Sequence, residues 1–160
     1  MKKIVFAFVF LALAFGAFGQ TTTIYLIRHA EKVDNSKNPD LSKVGLERAA
    51  HWDTVFAQIP LKAVYSTDFL RTVQTAMPTA KSKNLEIIKY DPKTIDIEKL
   101  KKEHKGEAIL IVGHSNTSPE LANRLINQKV YSPMDDNVFG NLYIISITGN
   151  EVSHQLLQGL

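Results

Sequence analysis

Ala108-Ile109-Leu110-Ile111-Val112 carries no polar residue, so both faces of any strand it forms are apolar. A strand of that kind needs cover on two sides, as in parallel sheets built from β-α-β units. The rest of the chain supplies those units. Thr22 to Ile27 is a second strand, rich in β-branched and aromatic residues, and Leu61–Tyr65 and Leu85–Tyr90 are shorter ones. Ser42 can N-cap a helix running to about Gln58, stopped by Pro60. Its expected apolar side is Leu46, Ala49, Ala50, Val55, Phe56 and Ile59, and Gly45 weakens its first turn. Ser66, Thr67 or Asp68 can cap a second helix from Phe69 to about Ser82, which Pro78 is expected to kink or shorten. Ile97–His104 is a short helix with a solvated basic face, and Ser118-Pro119-Glu120 opens a helix running to about Asn127. Asn141–Thr148 and Glu151–Leu157 form a hairpin around Gly149-Asn150. The resulting order, β-α-β-α-β-α-β-α-β-β, predicts an α/β three-layer α/β/α sandwich, mostly parallel, with one late antiparallel strand.

The first 19 residues stand outside that pattern. Lys2 and Lys3 form a short positive region, Ile4 to Phe15 an apolar one, and Ala17-Phe18-Gly19 a small-x-small site. This is the order read by signal peptidase, with Gln20 as the expected new N-terminus. The expected organisation is a signal peptide over 1–19 and one domain over 20–160, exported to the periplasm or secreted, with no stable membrane anchor after cleavage. Without Lys2 and Lys3 the balance is 17 basic to 16 acidic residues, which argues against a nucleic-acid partner. Cysteine is absent, so disulfides, thiolate catalysis and cysteine zinc sites are excluded.

Chemistry-bearing residues follow three of the strands. The first ends in Arg28-His29-Ala30-Glu31-Lys32, the second leads into Ser66-Thr67-Asp68-Phe69-Leu70-Arg71, and the fourth into Gly113-His114-Ser115-Asn116. If these strands are parallel, two arginines, two histidines and two helix N-termini face one pocket at the carboxyl edge. That inventory suits a phosphoryl group, whose transition-state charge is held by fixed positive donors. Guanidiniums bind it bidentately, and one imidazole can attack phosphorus to form a phosphohistidine. No Mg²⁺ is required, because the cationic side chains do the metal's electrostatic work. His51, His104 and His154 lie away from these ends and read as structural or solvated, and Trp52 as core or edge packing.

The three stretches resemble the histidine phosphatase superfamily, the phosphoglycerate mutase-like branch 1. Arg28-His29 matches its Arg-His signature, with Ala30 where glycine is usual, and Leu41-Ser42-Lys43-Val44-Gly45 resembles the opening of its next helix. Tyr65 to Ala76 resembles the serine-x-x-x-arginine-x-x-x-threonine-alanine stretch, and Val112 to Asn116 the second histidine motif. The resemblance implies His29 as nucleophile and Arg28, Arg71 and His114 as the phosphate pocket, with no cofactor and no metal. Glu31, Lys32, Ser115 and Asn116 border the pocket. The glutamate that protonates the leaving oxygen in many members has no clear match over Lys81–Glu107. Asp91 is the first candidate for that acid, then Glu31, with Asp96 and Glu98 behind, while Asp91-Pro92 also reads as a plain turn.

The expectation is an exported, metal-independent phosphomonoesterase of histidine acid phosphatase type. Its substrate would be a phosphate ester or phosphoramidate: a phosphorylated small molecule, an envelope sugar or a phosphoprotein. Two other readings stay open. One is an inactive relative that grips a phosphorylated ligand, and the other a metal hydrolase using His29, His114 and Glu31.

Overall fold

The computed structural model describes residues 20–160, so the signal-peptide reading of 1–19 lies outside the described residues. Six strands alternate with four helices: β1 Thr21–Arg28, α1 Lys43–Phe56, β2 Leu61–Ser66, α2 Leu70–Ser82, β3 Ile87–Lys89, α3 Ile97–Glu103, β4 Ala108–Gly113, α4 Thr117–Ile126, β5 Leu142–Thr148 and β6 Glu151–Leu157. The strands form one sheet in the order β3-β2-β4-β1-β5-β6. β1, β2, β3 and β4 are mutually parallel, and the β5-β6 hairpin joins with β5 antiparallel to β1.

The apolar run is at the centre of the sheet, as its two-faced composition demands. Ile109 and Ile111 point to a layer with Ile24, Leu26, Leu121 and Leu125, while Leu110 and Val112 point to one with Ile27, Trp52, Phe56 and Ala76. α4 covers the first layer, and α1 with α2 the second. Trp52 is fully buried, as its reading as core packing requires.

Register then sets the site. Arg28 lies opposite Gly113, and Ser66 opposite Val112, so the carboxyl ends of β1, β2 and β4 finish level at one edge. His29, Thr67 and His114, the residues that follow, emerge side by side.

Several local readings are corrected. The buried stripe of α1 is Gly45, Ala49, Trp52 and Phe56, a clean i, i+4, i+7, i+11 series, whereas Leu46 is exposed. Gly45 is a requirement here and not a weakness, since a Cβ would be driven into the Glu31 carbonyl. Ser42 does cap α1, accepting from Gly45 N at 3.1 Å. α2 is capped by none of Ser66, Thr67 and Asp68: its N-cap is Phe69, and Asn38 from the loop between β1 and α1 accepts from Leu70 N at 2.8 Å. The helix runs through Pro78 to Ser82 without being shortened. The N-cap of α4 is Asn116, two residues before the expected Ser118, whose hydroxyl is buried and donates to Ile27 O at 2.9 Å. β3 keeps only three residues of the six expected.

Candidate active site

The loop after β1 is fixed from both sides. His29 N donates to Gly113 O at 2.9 Å, and Ala30 N donates to the Thr75 hydroxyl at 2.9 Å. Thr75 in turn donates to Arg71 O at 2.7 Å, tying β1's end to the first turns of α2. The Ala30 methyl, where glycine was the usual residue, is buried in a small cluster with Leu41 and Ala49.

His29 is 4% exposed, and its Nδ1 lies 2.7 Å from Ala30 O. A carbonyl only accepts, so Nδ1 carries the proton and Nε2 is left with a lone pair. Burial pushes the imidazole pKa down to about 3; the Ala30 bond opposes this, and Arg28, His114 and Arg71 reinforce it. The ring is therefore neutral over the ordinary pH range.

His114 stands edge-on to His29, with ring centroids 5.4 Å apart. Burial first, then Arg71 and Arg28, lowers its pKa to about 4. Its Nε2 is 2.9 Å from the Thr67 hydroxyl, which donates to Thr72, and its Nδ1 is 3.4 Å from Arg71 Nη2. Donation therefore runs in one direction, from Arg71 through His114 and Thr67 to Thr72, whose hydroxyl ends on the Thr67 and Phe69 carbonyls.

Each guanidinium rests on an aromatic ring. Arg71 lies 4.4 Å from the Phe69 centroid, and Arg28 lies 4.2 Å from that of Phe139. Arg28 Nη1 donates to Asp135 O at 2.9 Å and Val138 O at 2.8 Å. The Nε–H groups of both arginines are buried and have no partner among the described residues. An unpaired buried donor costs about 1–3 kcal/mol, which an anion accepting from it would recover. An open cleft of about 480 Å³ joins Arg28, His29, Thr67, Arg71, His114 and Asp136.

Residues 24–92, which contain Arg28, His29 and Arg71, match the family model of the histidine phosphatase superfamily (branch 1). Over that stretch, less than half of its length, the chain is similar to that superfamily. His114 lies beyond the matched stretch, and the register of β1 against β4 brings it to the site. Phosphoserine phosphatase 1 from Hydrogenobacter thermophilus is 36% identical over 75 residues, a match spanning 42% of this chain and 36% of that relative's length. The phosphoglycerate mutase of Bacillus anthracis shares the fold with a TM-score of 0.66 at 14% identity, over 88% of this chain and 94% of that one. The alpha-ribazole phosphatase of Shigella flexneri does so with a TM-score of 0.65 at 15% identity, over 86% and 96%. The phosphoglycerate mutase-like α/β sandwich expected from the sequence is thus the observed fold.

The four residues named from the sequence, Arg28, His29, Arg71 and His114, line one cleft. The carboxylates fare differently. Glu31 is gripped by Arg48 in a bidentate pair at 2.8–3.0 Å. Burial works to raise its pKa, but the bonds and charge of Arg48 outweigh burial and hold it below the usual range. That arrangement keeps Glu31 ionised and unsuited to donate a proton. Asp96 caps α3, and Glu98 pairs with Lys101 at 3.0 Å on the surface. Asp91 lines the cleft, yet it also forms the turn foreseen for Asp91-Pro92: its Oδ1 accepts from Lys93 N at 2.9 Å, and its carbonyl accepts from Thr94 and Ile95. Lys32, Ser115 and Asn116 line the cleft as expected, whereas His51, His104 and His154 do not.

Sequence reasoning missed Thr75, Phe139 and Asp136. Thr75 was within reach, because it lies in the quoted Tyr65–Ala76 stretch. Phe139 and Asp136 belong to a loop with no periodic pattern, and no local signal marks them.

Proposed function

We propose that this protein is an exported phosphomonoesterase that hydrolyses a phosphate ester or phosphoramidate through a phosphohistidine on His29. The observation that carries the reading is the His29 Nδ1 bond to Ala30 O, which fixes the tautomer with the Nε2 lone pair free. The phosphoryl oxygens are held by Arg28 and Arg71, whose buried Nε–H donors have no other partner among the described residues. A bound dianion favours the protonated form of His114, whose Nδ1 then donates to an oxygen. Nε2 attacks phosphorus in line, and the P–O bond to the alcohol, or the P–N bond to the amine, breaks with its electron pair going to the leaving group. Water then attacks the phosphohistidine, the P–N bond breaks, and inorganic phosphate leaves.

Cationic side chains supply the electrostatic stabilisation, so turnover should proceed in EDTA. The substrate classes are those named above. Similarity to phosphoserine phosphatase 1 of Hydrogenobacter thermophilus makes phosphoserine the first compound to screen, followed by sugar phosphates and phosphohistidine. Export rests on the charge, apolar run and small residues of 1–19. Phosphate release by the purified protein from that panel tests the activity. Release abolished by His29→Ala supports it, and binding of phosphorylated ligands without release by the wild type would favour the inactive relative.

A further inference from the structure

The residues so far assign no proton donor to the leaving group. Among the described residues two carboxylates line the cleft, Asp91 and Asp136. Asp91 is committed to its own turn through Lys93 N. Asp136 takes part in no hydrogen bond or ion pair among the described residues.

Its position is nevertheless fixed. Val138 N donates to Asp135 O at 3.0 Å, closing a turn over Asp135–Val138 with Asp136 at its tip. Arg28 Nη1 holds both ends of that turn, through Asp135 O and Val138 O. Phe139, the next residue, lies over the Arg28 guanidinium and has its ring 6.2 Å from that of His29. The arginine that borders His29 therefore also holds the backbone turn that carries Asp136. Asp136 borders two adjoining hollows, the cleft itself and one lined by Arg28, Glu31 and Lys32, so its carboxyl is open to a group bound in either.

Resting on the phosphatase reading above, we propose that Asp136 is the general acid–base of this protein, protonating the leaving oxygen. In the first step the His29 Nε2 lone pair forms the P–N bond. The leaving oxygen keeps the P–O electron pair and takes the Asp136 proton, giving a neutral alcohol and an Asp136 carboxylate. In the second step that carboxylate takes a proton from water as its oxygen attacks phosphorus, the P–N pair returns to Nε2, and Asp136 is protonated again.

Steady-state rates on an aryl and an alkyl phosphate test the assignment, because an aryl oxygen departs without a proton and an alkyl oxygen does not. With the full chain, Asp136→Asn should cut kcat/KM for an alkyl phosphate by about 10²–10⁴-fold and leave p-nitrophenyl phosphate within a few fold. Asp136→Glu should restore part of the alkyl rate. An equal loss on both substrates would make Asp136 a structural or binding group and overturn the proposal. So would no loss on either, or the selective loss appearing in Asp91→Asn instead. A wild-type protein that releases phosphate from neither substrate overturns the phosphatase reading, and this inference with it. Asp136 is an exposed turn residue, so the circular dichroism of the variant should match the wild type.

Discussion

At the scale of single residues, the shared position of Arg28, His29, Arg71 and His114 was legible in the sequence. Each follows a strand whose pattern is unambiguous, and parallel pairing in register does the rest. The protonation of His29 was not legible, because it depends on burial and on Ala30 O lying 2.7 Å away. With a pKa lowered to about 3, the His29 ring should stay neutral at pH 5 in the free protein. Histidine ring NMR with the His29→Ala spectrum for assignment reads this directly, and a midpoint near the ordinary value of 6.5 would contradict it. Arg71→Ala and His114→Ala should each lower kcat/KM by roughly 10²–10³-fold, the usual cost of removing one preorganised donor. A tenfold or smaller loss in both would mean that the phosphate is held elsewhere.

At the scale of elements, two contacts position the loop carrying His29. Thr75 accepts from Ala30 N, so Thr75→Val leaves a buried amide unpaired and should cost about 1–3 kcal/mol. Gly45 brings α1 against the Glu31 carbonyl, and Gly45→Ala should cost about as much through overpacking. Urea midpoints check both, and the account predicts that kcat falls with them because the His29 loop is what shifts. The same contacts explain where reading elements from sequence stopped short. The Leu46 and Gly45 phases of α1 share one period, and only the close approach at Gly45 chooses between them. Ser118, followed by Pro119 and Glu120, carried the full local signal for the start of α4. Tertiary partners chose: Thr117 accepts from His114 N, Ser118 donates to Ile27 O, and Asn116 is left as the cap. β3, at the sheet edge, pairs only Ile87–Lys89 with β2, so its outer residues had no ladder to join.

At the scale of the whole molecule, burying two neutral histidines links stability to pH. Both folded pKa values, about 3 and about 4, lie below the ordinary 6.5. Between these limits the unfolded chain binds more protons than the folded one, so stability is full above about pH 6.5 and falls as the pH drops. The urea midpoint should therefore decrease from pH 7.5 to pH 5, and a His29→Asn/His114→Asn double variant should flatten the decrease. Parallel curves for the two proteins would show that other groups are responsible. The N-terminal segment belongs to this scale as well: protein recovered from the cell exterior or periplasm should begin at Gln20 or within a few residues, and an uncleaved, membrane-retained chain would contradict export. The central claim, that the His29 Nε2 lone pair takes the phosphoryl group, has one direct test. Enzyme quenched under alkaline conditions during turnover of a labelled phosphate ester should carry label on His29, and on Nε2 because Nδ1 is held by Ala30 O. Label on His114, or on Nδ1 of His29, would contradict it.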